Sequence, residues 1–430
     1  MSRQAKGLVS QYDDVYLIDG VRTPFADYNT VLGLISPIDL GIKVAREVFK
    51  RSGVLPQDVD TVVAGSVAQA SFDAYVLPRH VGLYSGVPTE VPAHLVQRVC
   101  GTGIEAIIQA ADSITLGKAD LGLVVGTESM SRNPIAAYTH RGGFKLGQVE
   151  FKDFLWESLM DTCPNKSMGN TAEELAKRYK VTRQDADEFA AESFARAVAA
   201  QKSCFLSGEI VAVVNETFEL SGYVPRAIRL PKKIESCDVD SHVRSSPMEV
   251  LAKLAPAFGG VQTGGNSSAI VDGAVATLVA SGGFVKNQKK KPLAKVLAGV
   301  SLGVPPEIMG IGPVAAIRAV LEAGGLKLDQ IDRVEINEAF AAQVIGCVRA
   351  WQSEEFCTRE LGVASSLGTL DEAKLNVDGG AIALGHPVGA SGARIVLHVL
   401  NVLKRTGGHR GMASICVGGG LGGAMLVERT

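Results

Sequence analysis

The apolar positions of this chain follow two alternating patterns. Short, continuously apolar runs read as strands buried on both faces: "VYLIDGVR" (15–22), "VDTVVAGSV" (59–67) and "DLGLVVGTESMS" (120–131). Between them, "DLGIKVAREVFKRSG" (39–53) and the stretch Ile104, Ala106, Ile107, Ala110 carry apolar residues at helical spacing. The first of these helices is expected to stop at Gly53. Strands alternating with helices predict an α/β fold whose sheet is covered on both faces.

The pattern repeats further on. "AKVLAGVSLG" (294–303) reads as a strand, "GPVAAIRAVLEAGG" (312–325) as a helix and "IDRVEINEAF" (331–340) as a strand ending near Asn337. "GASGARIVLHVLNVLKR" (389–405) is a glycine-rich turn into a helix, and "GMASICVGGGLGGAMLVE" (411–428) a pair of strands joined by glycines. Two similar halves predict a duplicated unit with a site where the halves meet. The boundaries are set at 1–130 with 269–285 for the first half and 286–430 for the second, with 131–268 as an insertion. The insertion carries two helical stretches, with capping boxes expected at Thr171/Glu174 and Thr182/Asp185. "KNQKKKP" (286–292) reads as a solvated linker between the halves.

Composition narrows the class. With 430 residues, 46% hydrophobic and 48 glycines, the chain has ample core and many tight turns. A net charge of −2 marks no nucleic-acid or membrane-surface binder. No apolar run reaches the ~18 residues of a membrane span, and the first residues lack the hydrophobic region of a secretory leader, so none is expected. Seven scattered cysteines without a C-x-x-C pair make a disulfide framework or a metal site unexpected, and point to a reducing compartment, expected to be the cytoplasm.

Four polar residues stand at strand ends or glycine turns, where α/β sheets bind ligands. Cys100 precedes Gly101-Thr102-Gly103 and a helix, whose positive end is expected to make the thiol more acidic. Asn337 ends a strand, His386 lies in "GGAIALGHPVGASGAR" (379–394), and Cys416 precedes three glycines. Singly, each has a plain structural alternative: a core cysteine, a turn-forming asparagine, a satisfied histidine. Together they make coherent acyl-transfer chemistry. One thiolate forms a thioester, an imidazole and an amide serve as base and oxyanion donors, and a second thiol moves a proton. No Gly-x-Ser-x-Gly is present, and the first strand runs into "GVRTPF" rather than a dinucleotide-binding turn.

These motifs resemble those of the thiolases, the acetyl-CoA acetyltransferase and 3-ketoacyl-CoA thiolase family. The resemblance runs from "VRTPF" (21–25) to the C-terminus through "VCGTG", "GTESMS", "MGNTAEELAKRY", "KLAPAF", "GGNSSAIVDGA", "NEAFAAQ", "GGAIALGHPVGASGAR" and "CVGGG". It implies two βαβαβαββ halves in a five-layered αβαβα core, with 131–268 as a loop domain over coenzyme A. It implies Cys100 as the acylated nucleophile, and His386 as its activator and, with a water on Asn337, an oxyanion hole. Cys416 would be the general acid/base, and the N–H groups of Cys100 and Gly418 a second oxyanion hole. Ser268, Arg244 and Met168 would contact coenzyme A. Acyl-CoA and coenzyme A would be substrates with no permanently bound cofactor, and the assembly a homodimer or homotetramer. The chain departs from the family at Gln97, Val271, Ser167 and across 68–94, which leaves acyl-chain preference open. The alternatives are a decarboxylating ketosynthase of the same fold and a non-catalytic acyl-CoA- or lipid-binding scaffold.

Overall fold

The computed structural model describes residues 7–68, 74–137 and 140–430. The first half runs β1 (Val15–Arg22), α1 (Pro37–Ser52), β2 (Thr61–Gly65), α2 (Leu77–Tyr84), β3 (Ala93–Val96), α3 (Thr102–Thr115) and β4 (Leu121–Ser129). The insertion follows, with α4 (Met168–Arg178) and α5 (Arg183–Lys202) as its long helices, and β5 (Val271–Ser281) then returns to the first half. This is the βαβαβαββ order expected. The second half runs β6 (Ala294–Gly303), α6 (Gly312–Gly324), β7 (Arg333–Ile336), α7 (Ala341–Gln352), α8 (Val388–Thr406), β8 (Arg410–Val417) and β9 (Leu421–Arg429). Here the repeat is incomplete. Where its third strand would lie, a single parallel bridge joins Leu375 to Val334. The chain there, "ASSLGTLDEAK" (364–374), has too few apolar or β-branched residues to form a buried strand.

In the first sheet the order is β1–β5–β4–β2–β3, with β5 antiparallel to both neighbours and β4, β2 and β3 parallel. The second repeats it as β6–β9–β8–β7. The two join at one corner, where Leu17 and Tyr16 pair with Ala294 and Lys295. Helices α3 and α8 lie between the sheets, α1 and α2 cover the outer face of the first, and α6 and α7 that of the second. That gives five layers. It also explains the continuously apolar strands: Val124 of β4 faces the central helices while Leu123 and Val125 face α1.

Helix ends follow local chemistry. Helix α1 starts at an Ser36 cap with Pro37 behind it and stops at Gly53, whose φ is 61°. Lys290, expected in a solvated linker, instead donates to the carbonyls of Ser52 (3.1 Å) and Gly53 (2.6 Å), placing a cation at the negative end of α1. The Thr182/Asp185 capping box forms as expected. The other lies one turn earlier than expected: Ser167 and Asn170 make it, and Thr171 sits inside α4 with its hydroxyl on the Met168 carbonyl. Although α4 and α5 belong to an insertion in the first half, they pack on α7 of the second.

Candidate active site

Cys100 occupies a braced turn. Val99 before it has φ 43°, an uncommon conformation for a β-branched residue. The Thr102 hydroxyl accepts from the Arg98 N–H (2.9 Å) and donates to the Val99 carbonyl (2.6 Å), closing the turn as α3 begins. The N–H groups of Gly418 and of Cys100 itself favour the thiolate at the Cys100 sulfur. Gly418, just beyond β8, is closely covered: a β-carbon would lie 3.1 Å from Met168 Sδ.

Burial dominates the electrostatics. It pushes the Cys100 thiol up to about 11, with the charge of Glu128 adding to the rise and the two N–H groups opposing it. The expected acidic thiol at a helix N-terminus is therefore corrected. Desolvation of a thiolate outweighs the partial charge of the helix end. Cys416, fully buried on β8, is likewise pushed well up, by burial and then by the neighbouring Cys100.

His386 comes from the other half, on the turn before α8. Its Nδ1 lies 2.6 Å from the Ser391 hydroxyl, which donates its own proton to the Pro387 carbonyl (3.1 Å). With the hydroxyl proton on the Pro387 carbonyl, Nδ1 carries the hydrogen and the Nε2 lone pair faces the Asn337 amide. Burial, then the Arg394 charge, lowers His386 to about 3, so the ring is neutral at pH 7. Asn337, at the end of β7, sets Nδ2 3.5 Å from His386 Nε2. Its Oδ1 is buried with no partner, a place suited to a bound water.

Cys100 and His386 share a cavity of about 60 Å³ whose walls include Val67, Ala68, Leu155, Met309 and Val388. It adjoins a cleft of about 360 Å³ bounded by Tyr28, Trp156, Phe258, Ile270 and Phe340. Met130, Met168 and Ser268 line both. Cys416 packs with Met309, Ala339 and Phe340 beside the cavity. The geometry thus gathers two thiols, a neutral imidazole and a carboxamide from both halves around a small pocket at the end of an apolar cleft.

The sequence profile described as "Thiolase, N-terminal domain" matches residues 15–283, and that described as "Thiolase, C-terminal domain" matches 290–429. The chain belongs to the thiolase family. It is 38% identical to human mitochondrial 3-ketoacyl-CoA thiolase, covering 97% of this chain and 98% of that one. It is also 38% identical to the acetyl-CoA acetyltransferase of Syntrophomonas wolfei, covering 96% and 99%. The crystal structure of the human mitochondrial enzyme in complex with CoA superposes with a TM-score of 0.87 at 37% identity, over 97% of this chain and 98% of that one. This thiolase is thus an acyltransferase that uses coenzyme A thioesters.

Of the coenzyme contacts expected in this thiolase, Met168 and Ser268 line the route to Cys100. Arg244 does not. Its guanidinium lies over the Phe194 ring, 5.5 Å from the centroid, and 3.0 Å from His242 Nδ1. Among the described residues, no lysine or arginine lines either cavity, so the cleft suits an uncharged, extended chain rather than phosphate. Sequence reasoning missed Ser391, which sets the histidine tautomer, and Glu128, which lines the cavity. An ionisable residue in the otherwise apolar strand "DLGLVVGTESMS" was the available signal for Glu128.

Proposed function

We propose that this thiolase works by a ping-pong route through an acyl-Cys100 thioester, cleaving 3-oxoacyl-CoA with coenzyme A or running the same steps in reverse. In the cleaving direction, Cys100 sulfur attacks the 3-oxo carbon while His386 Nε2 takes the thiol proton. The developing oxyanion meets hydrogen-bond donors. The bond between carbons 2 and 3 then breaks, its electron pair takes the proton of Cys416, and acetyl-CoA leaves while the shortened acyl group stays on Cys100 as a thioester. Incoming coenzyme A loses its thiol proton to Cys416, attacks the thioester carbonyl and frees Cys100. The N–H groups of Cys100 and Gly418 would hold the thioester oxyanion, and His386 with a water on Asn337 the thioester enolate of the other substrate.

The observation that carries this is the meeting of groups from both halves: Cys100 and His386 line one cavity, and Asn337 Nδ2 stands 3.5 Å from His386 Nε2. No metal is needed, because the thioester and the donors acidify the α-carbon. The test mixes the enzyme with acetoacetyl-CoA and coenzyme A and follows enolate absorbance, with no carrier protein. Parallel reciprocal plots, the mark of a ping-pong order, are expected; intersecting plots would contradict it. A panel of 3-oxoacyl-CoA substrates from four carbons upward, compared by kcat/KM, sets the chain preference.

A homodimer or homotetramer is proposed as the working assembly. In support, β3 at the end of the first sheet pairs on one side only. Light scattering from a sizing column tests it, and a monomer at working concentration would contradict it. Seven unpaired cysteines support the cytoplasm as compartment; imaging of the tagged full chain in another compartment would overturn that.

A further inference from the structure

The cavity wall holds one ionisable side chain that acyl transfer leaves unused. Glu128 is fully buried near the end of β4. Its two oxygens take four donors. Oε2 accepts the N–H groups of Val67 (2.9 Å) and Gly389 (2.9 Å), and Oε1 accepts the Ala68 N–H (3.0 Å) and the Ser66 hydroxyl (3.2 Å).

These donors come from both halves. Ser66, Val67 and Ala68 follow β2, and Val67 and Ala68 face Cys100 across the cavity. Gly389 is the second residue of α8, so its N–H is one of those a helix cannot satisfy internally. Pro387 in the cap position offers no side-chain acceptor, and Glu128 supplies one from the other half, at the end of the helix that favours negative charge. His386 lies three residues before Gly389, and Ser391, which holds its ring, two residues after. The fit has no slack. A β-carbon on Gly389 would stand 2.8 Å from Glu128 Oε2, and one on Gly126 would stand 2.6 Å from the Gly389 carbonyl oxygen.

We infer that Glu128 is a positioning residue for acyl transfer, tying the His386 turn of one half and the acyl-facing Ser66–Ala68 loop of the other to fixed places around Cys100. This rests on Cys100 and His386 as nucleophile and base. A glutamine cannot take over: its amide nitrogen would confront N–H groups that now meet a carboxylate oxygen. The carboxylate has a second, opposite effect. Its charge helps hold the Cys100 thiol up. The titratable groups facing Cys100 are Glu128 and His386 in the cavity and Cys416 beside it.

The test compares Glu128→Gln with the parent in two reactions of the same thiol. Single-turnover acylation by acetoacetyl-CoA should fall on the order of 30-fold, because base and acyl wall lose their places. Alkylation of Cys100 by iodoacetamide at pH 8, which needs only the thiolate, should become faster, because a like charge has gone. Glu128→Asp should alkylate near the parental rate and acylate at an intermediate one. Acylation within about threefold of the parent in Glu128→Gln would overturn the proposal, as would acylation and alkylation falling together, the mark of general disruption. Should Glu128→Gln fail to fold, Ser66→Ala removes one donor of the four. It should cut acylation about threefold at an unchanged unfolding midpoint, and unchanged acylation would overturn the proposal. A Cys100→Ser control that still acylates at the parental rate would instead overturn the nucleophile assignment itself.

Discussion

Gly103, the second residue of α3, approaches α8 so closely that a β-carbon on it would stand 2.2 Å from the backbone nitrogen of Ala393. Gly392 reciprocates, with a β-carbon position 2.5 Å from the Ile104 nitrogen. The two central helices, one carrying Cys100 at its start and the other following His386, thus touch backbone to backbone. Glycine here sets the separation between the halves' catalytic groups. Gly103→Ala should lower stability by about 1–3 kcal/mol and slow acylation, because backbone cannot move aside as a side chain can. Gly208→Ala is the control, since its β-carbon meets nothing within 4 Å; its unfolding midpoint should match the parent's. Thermal unfolding and single-turnover acylation check both.

The two cysteines should separate by step. Cys416→Ser keeps the nucleophile and should still form the acyl-enzyme from acetyl-CoA, while carbon–carbon bond cleavage and formation fall by about 10²–10⁴ for want of the proton carrier. Cys100→Ser should lose acyl-enzyme formation. Rapid-quench measurement of each half-reaction distinguishes them, and normal turnover by both variants would contradict the assignments.

The resting thiol is protonated. Burial raises Cys100 to about 11 and lowers His386 to about 3, so both are neutral at pH 7. A raised thiol gains thiolate only as pH rises. Alkylation of the free enzyme by iodoacetamide should therefore climb about tenfold per pH unit from 7 to 9 without a plateau. A plateau near pH 7 would mean a preformed thiolate–imidazolium pair.

A buried charge cluster on α8 gives a stability prediction. His398 Nδ1 lies 3.0 Å from Glu209 and Nε2 3.3 Å from Asp378, all buried. Burial alone would lower His398; Glu209 above all, with Glu335 and Asp378, outweighs that and raises it to about 10. Since the folded value is the raised one, this stabilisation is whole below 6.5, the ordinary value, and is lost as pH rises through about 10. His398→Gln should cost about 1–3 kcal/mol at pH 7, because it removes one buried cation while Glu209 keeps Arg22 and Asp378 keeps Arg405. Its unfolding midpoint should vary less than the parent's between pH 7 and pH 10. Calorimetry across that range checks the sign.

Much of this was legible in the sequence, for physical reasons. Continuous apolar strands report burial on both faces, and the strands around Val124 and Ile415 fulfil that. Glycine marked the helix stop at Gly53 and the turns around Cys100, His386 and Gly418. Other features depend on contacts distant in the chain. The cap of α4 at Ser167 competes with an equally plausible Thr171, and packing decides between them. Glu128 meets Gly389 across the interface between halves, 261 residues apart. Arg244 reads as a phosphate ligand by residue type, and its contacts within the chain, to Phe194 and His242, are not visible in the sequence. The acidity of Cys100 was misjudged because a helix end is visible in sequence and desolvation is not.

The most direct measurement is mass spectrometry of the enzyme acid-quenched after mixing with acetoacetyl-CoA, followed by digestion. An acetyl thioester on Cys100, abundant before coenzyme A is added and discharged by it, is predicted. Acetyl on another side chain, or turnover with no adduct at Cys100, would contradict it.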